Sequence, residues 1–167
     1  MSTFTCPSQC DDLCKSKPRE KYLFKLTDLY PGLTPQERAL ASKYPVKMLT
    51  AYQLSWKAEK ACMSIYGSTE TGDESDACRH YIWASYLVNE FDKKMAEDIL
   101  NAHEQNPNQP QEDKAMDLAN NRRGTSVAED LKRSRTYSDS KIIESFKIDL
   151  KKGNLIILRP RSKEEIE

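Results

Sequence analysis

Any histidine chemistry in this chain rests on two residues, His80 and His103, the only histidines among 167 residues. His80 lies in "DACRHYIW", with Asp76 four residues before it and Trp83 three after. On a helix this spacing places Asp76, His80, Trp83 and Leu87 on one face. A carboxylate one turn from an imidazole fixes its tautomer and raises its basicity, as a general base or a metal ligand requires. Arg79, next in the chain, carries the planar fork that clamps a carboxylate or phosphate. His103 ends an apolar stripe of Ala96, Ile99 and Leu100 and has Glu104 beside it. A third polar group lies in "MDLANNRRG", where Asp117, Asn121 and Gly124 share a helical face and Asn120 sits close by.

These types define two chemistries. His80, His103 and Asp117 form a donor set that can hold zinc and leave a position for an acidified water. A His–Asp pair can also work without metal, as acid and base. The catalytic candidates are therefore His80, His103, Asp76, Glu104 and Asp117, with Arg79, Trp83, Asn120, Asn121 and Arg123 as substrate contacts. Other signatures are missing: "HEQNP" lacks the second histidine of H-E-x-x-H, and no nucleophile-elbow pattern surrounds a serine. Cys78 and His80, two apart, point in different directions on a helix. The competing reading is a buried polar network that joins helix ends and satisfies broken backbone groups near "NPNQP".

The elements that must position these residues read as helices. Thr34, Pro35 and Glu37 form a capping-box start, Pro45 opens a stretch to about 66, and Gly67 stops it. Further helices are expected over about 16–30, 75–91 and 92–105, and over 111–124 with a stop at Gly124. A short helix follows, then one from Ser138 to Gly153, while "NLIILRP" is the one strand-like piece. The class is all-α, an irregular bundle of about seven helices with a short C-terminal strand. Residues 1–15 read as a cysteine-bearing arm, 16–158 as one helical domain and 159–167 as a charged tail. In an up-down-up arrangement of the three polar-bearing helices, Asp76/His80, His103/Glu104 and Asp117/Asn121 fall at the same end.

Composition narrows the setting. Formal net charge is zero, so no global attraction to nucleic acid or anionic lipid operates. Residues 70–117 hold twelve acids against four bases, and residues 122–161 hold eleven bases against five acids. The basic 122–161 region is a candidate face for a protein partner. No apolar run reaches the ~18 residues of a membrane span, and the N-terminus lacks a signal-peptide pattern. The expected setting is soluble, either cytoplasmic or exported by a non-classical route. Five cysteines leave an odd thiol, and "CPSQCDDLC" places Cys6, Cys10 and Cys14 on one face. A staple among them or to Cys62, or free thiols, is favoured over a metal site.

At "DESDACRHYIW", "AHEQNPNQP" and "MDLANNRRG" the chain resembles a bacterial family of unknown function. Its members carry D-A-x-R-H-x-x-W, then A-H-E, then M-D-x-x-N-N-x-x-G, and related domains end some polymorphic toxins. The likeness spans about residues 72–124 and falls on Asp76, Ala77, Arg79, His80, Trp83, Ala102, His103, Glu104, Met116, Asp117, Asn120, Asn121 and Gly124. Where members often have Phe before the Arg, this chain has Cys78. The resemblance implies a helical bacterial domain and supplies no reaction. Two functions stand open: a hydrolase-like domain, as in a secreted effector, with a divalent metal such as zinc and a small-molecule or polymer substrate; or a non-catalytic interaction protein of immunity or adaptor type.

Overall fold

The computed structural model describes residues 32–162. Within them lie six helices: α1 Pro35–Lys43, α2 Pro45–Tyr66, α3 Glu74–Glu90, α4 Lys93–His103, α5 Gln111–Arg133 and α6 Asp139–Lys151. No strand occurs among the described residues, and the class is all-α. No helix there is long and apolar enough to cross a membrane. The helix expected over about 16–30, and Cys6, Cys10 and Cys14, lie outside the described residues.

Local chemistry sets most helix ends. Thr34 Oγ1 accepts the Glu37 amide at 3.1 Å and Glu37 Oε2 accepts the Thr34 amide at 2.7 Å, a reciprocal capping box. Gly67 ends α2 at φ 75°, a conformation that disfavours side chains. Asp73 caps α3 by accepting from the amides of Ser75 and Asp76, Asp92 caps α4, and Ser138 caps α6.

α3 is the axis of the molecule. It lies between α5 and α2 and also touches α4 and α6. Tyr81, Ile82, Ala84 and Leu87 are fully buried, and so are Ala77 and Cys78. The face carrying Asp76, His80 and Trp83 is buried as well, so α3 has no broad solvent side.

Two sequence expectations change here. Gly124 does not stop a helix; α5 runs through it without a break to Arg133. A Cβ at Gly124 would overlap the Tyr81 carbonyl oxygen and approach its carbon at 2.9 Å and its Cα at 3.0 Å. The glycine serves the close crossing of α3 and α5, and Ser85 Oγ seals that crossing by donating to the carbonyls of Tyr81 (2.8 Å) and Gly124 (3.0 Å). The second change concerns "NLIILRP", which forms an irregular, bent strap. Leu158 and Arg159 both donate their amides to the Gly72 carbonyl at 2.9 Å. Asn120 pairs with the Ile156 backbone through both its amide atoms, at 3.0 and 3.1 Å. With no second strand beside it, its polar backbone finds these partners instead.

The cysteine pairing is also new. Cys62, at the end of α2, is joined to Cys78 in the second turn of α3, and both are fully buried. This bond closes the loop that contains Gly72 and Asp73.

Candidate functional site

The site begins with Asp73. By capping α3 it orients the first turn, and Arg161, just past the strap, braces the cap through Asp73 and through the carbonyls of Tyr66 and Ser68. Asp76, one turn on, accepts the Gly72 amide on Oδ2 at 2.7 Å and is paired through Oδ1 with Arg79, a guanidinium that a cation at Oδ1 would have to share or displace. The strap's bonds to Gly72 therefore fix the loop that holds Asp76 Oδ2. Burial works to raise the Asp76 carboxyl, but contact with His80, the Arg79 charge and the Gly72 amide outweigh it. The carboxyl is held well below the usual range and stays ionised.

His80 stands at the centre. Its Nε2 lies 3.4 Å from Asp76 Oδ1 and 3.3 Å from Asp117 Oδ1. Its Nδ1 lies 3.3 Å from Asn121 Oδ1 and 3.4 Å from Glu104 Oε1. Asn121 spends its Nδ2 donating to Glu104 Oε1 at 3.0 Å, so its Oδ1 faces His80 as an acceptor. Both ring nitrogens face acceptor oxygens: an Nδ1 hydrogen suits Asn121 and Glu104, and Nε2 meets the two aspartates either as an N–H donor in the imidazolium or with the lone pair that a cation would take.

Asp117 completes the group. Gln109 Nε2 donates to its Oδ2 at 2.6 Å, and also to Glu104 Oε2 at 3.3 Å. Its Oδ1 is buried with no hydrogen-bond partner. Burial raises the Asp117 pKa; His80 offsets part of this, while the charges of Asp76 and Glu104 add to it, and the value reaches about 6. One ligand atom from each of Asp76, His80 and Asp117 lies within 4.8 Å of the others, and all three residues are buried. Tetrahedral zinc with ligand bonds of ~2.1 Å separates its ligand atoms by about 3.4 Å, the separation Nε2 keeps from both aspartates.

His103 takes a different place. Its Nδ1 lies 2.9 Å from Glu37 Oε1, and its ring is 6.2 Å from that of His80, centroid to centroid. It packs edge-on against Trp83 at 4.9 Å. Burial lowers the His103 pKa, but the bond and charge of Glu37 more than offset it and leave the imidazolium favoured; Glu37 is correspondingly pushed down. The convergence expected of the three helices is thus present for Asp76, His80, Glu104, Asp117 and Asn121, with His103 one ring further out.

Asn120 and Arg123 are committed elsewhere, and Trp83 commits only its Nε1 while its ring lines the cavity beside the cluster. Asn120 holds the strap. Arg123 pairs with Asp149, at 2.6 and 2.8 Å, beside the Tyr81 hydroxyl that also bonds Asp149. Trp83 donates its Nε1 to the Ala51 carbonyl at 3.0 Å. Gln109, Glu37 and Gly72 contribute to the site without having been anticipated. Glu37 had a legible local role as a capping-box acid, whereas nothing in "NPNQP" signals that Gln109 bridges two carboxylates.

A cavity of about 340 Å³ opens beside the cluster, with His80, Arg79 and Trp83 from α3 and His103 from α4 in its wall. Neither the curated proteins nor the solved structures give a match to this chain. Residues 38–154, which include every member of the cluster, match the model of a family described as a domain of unknown function, DUF6973. On that match, covering more than half of its length, the chain belongs to the DUF6973 family.

Proposed function

We propose that this domain is a hydrolase that holds one divalent cation, with zinc the best fit, on Asp76 Oδ1, His80 Nε2 and Asp117 Oδ1. One observation carries the reading: the buried Asp117 Oδ1, without a hydrogen-bond partner, stands 3.3 Å from His80 Nε2, with the ionised Asp76 carboxylate converging on the same point. Asp117 Oδ1 is one of three buried side-chain atoms without a partner among the described residues, beside Gln109 Oε1 and Arg79 Nε, and it is the one a cation between His80 and Asp76 would satisfy. Oxygen and imidazole donors suit zinc or manganese rather than a soft ion. Asp76 joins the ligand set in place of His103, whose ring stands 6.2 Å from that of His80 and outside the group of converging ligand atoms.

Bound there, the cation would supply an acidified water as nucleophile and a Lewis acid for the scissile bond. The chain's residues do the rest. Glu104 and Asn121 hold the His80 Nδ1 hydrogen and so keep Nε2 as a donor to metal. Gln109 orients Asp117, and Arg79 holds Asp76. His103, favoured as imidazolium and part-exposed on the cavity wall, is placed to give a proton to a leaving group, with Glu37 stabilising its charged form. The resemblance to domains that end polymorphic toxins supports an exported effector as the setting.

Metal analysis of untagged full-length protein tests this. One zinc per chain is expected, lost in His80→Ala and Asp117→Asn and retained in His103→Ala. Retention in all three variants, or no zinc in the wild type after incubation with zinc salt, refutes the site. The latter result would favour the non-catalytic reading, in which Gln109 and Arg79 serve only to knit helix ends together.

A further inference from the structure

The cavity beside the cluster is not accounted for by metal binding. Most of its wall is apolar: Met48 and Ala51 from α2, Ala41 from α1, Ile99 from α4 and Trp83 from α3. Arg79, His80, His103 and Glu37 stand together at the end where the cavity meets the cluster, and Tyr52, Ser55 and Glu59 of α2 add polar groups to the wall. The charges at that end are already matched within the protein. Arg79 is paired with Asp76, and His103 with Glu37. Glu59, further along the wall, adds an acid rather than a base. A phosphate or a run of phosphates would enter against this balance, since its recognition needs cations in excess. At about 340 Å³ the space lies at the small end of ligand pockets, ~300–1,000 Å³, too small for a polymer segment but suited to one apolar group.

We propose that this cavity is the subsite for an uncharged apolar group, an acyl chain or an aromatic ring, of a small ester or amide. This rests on the hydrolase reading for the reaction, and stands apart from it for binding. His80 belongs to both the cluster and the cavity wall, so a group seated among Met48, Ala51 and Trp83 brings its carbonyl to the cluster's edge. In the reaction, water oxygen bonds to the carbonyl carbon and the bond from that carbon to the ester oxygen or amide nitrogen breaks. One water proton ends on the leaving alcohol or amine, and the products are a carboxylic acid and that alcohol or amine. No oxidant, reductant or further reactant is needed.

The test separates binding from turnover. Full-length protein in EDTA is titrated with n-butanol, n-pentanol and n-hexanol, and with hexyl phosphate, by ligand-observed NMR. Each added methylene should tighten alcohol binding, up to about fourfold for complete burial, and hexyl phosphate should bind no better than hexanol. Ala51→Phe, which fills the cavity, should weaken hexanol at least tenfold, and Met48→Ala, which widens it, should extend the gain to octanol. A flat alcohol series, tighter binding of the phosphate, or unchanged hexanol affinity in well-folded Ala51→Phe overturns the proposal. If Ala51→Phe does not fold, Met48→Ala decides alone, and no change in its chain-length profile overturns it. With zinc added, p-nitrophenyl hexanoate should be hydrolysed faster than p-nitrophenyl acetate and bis-p-nitrophenyl phosphate not at all. A graded alcohol series without any zinc-dependent hydrolysis would sink the hydrolase reading and leave the apolar subsite standing.

Discussion

Asp117→Asn distinguishes a metal site from a structural network by the sign of its effect on stability. In the metal-free protein the Asp117 carboxyl is raised from its ordinary 3.8 to about 6, first by burial and then by the charges of Asp76 and Glu104, against the opposing pull of His80. The folded state therefore holds this proton more tightly than the unfolded chain. Its contribution is neutral below pH 3.8, becomes steadily more destabilising between pH 3.8 and about 6, and is constant above that. At about 1.36 kcal/mol per pH unit of displacement, the full penalty above pH 6 is about 3 kcal/mol. Asparagine cannot ionise, keeps an oxygen for Gln109 and removes one of the crowded charges.

Urea unfolding with EDTA at pH 5.0 and pH 7.5 is the assay. At pH 7.5 the variant should be more stable than the wild type, by up to ~3 kcal/mol. At pH 5.0, part-way between the two pKa values, about half of the difference, ~1.6 kcal/mol, should remain. Zinc at a hundred times its dissociation constant should then stabilise the wild type by about 2.7 kcal/mol and leave the variant unmoved, closing the gap. A variant less stable than wild type in EDTA at pH 7.5, with the same pH slope, would show that Asp117 is a satisfied structural carboxylate and would refute the reasoning.

Three further outcomes are expected. Gly124→Ala gains about 1 kcal/mol of helix propensity but forces a methyl against the Tyr81 backbone; a net loss of ~3 kcal/mol in urea midpoint analysis is expected, since neither helix backbone can yield as a flexible side chain could. Removing the Cys62–Cys78 bond, by the double alanine variant or by reductant, should cost about 3 kcal/mol for a loop of this length and lower the melting temperature, while thiol titration of the native protein should find neither cysteine reactive. The His103–Glu37 pair should stabilise the fold between about pH 4.5 and 6.5: the raised histidine withdraws its contribution as pH climbs through its folded pKa, and the lowered glutamate as pH falls through its own. Glu37→Gln should remove both limbs from the stability profile and lower the His103 pKa measured by NMR.

Helix starts and stops were legible because they are decided within four residues of backbone. Thr34 with Glu37, Asp92, Ser138 and Gly67 act where they stand, whatever the rest of the chain does. The spacing of Asp76 and His80 likewise belongs to a single helix, and so it survives in the folded protein. Even the gathering of the three polar clusters followed from helix lengths and tight breaks, because short connections force neighbouring helices to run antiparallel.

What only tertiary structure decided is which partner each group finds. Gly124 has the composition of a stop, yet its lack of a side chain is spent on Tyr81, far away in sequence. His103 meets Glu37 and Cys62 meets Cys78 across different helices, while Gln109 reaches two carboxylates from a loop with no periodicity to announce it. The pattern of residue types along a helix states which face is polar, but not the depth at which that face is buried or what stands opposite. For His80 that difference is decisive: enclosure among Asp76, Asp117, Glu104 and Asn121 arises from the packing of α3 against α5, and that packing turns a histidine beside an acid into a candidate metal ligand.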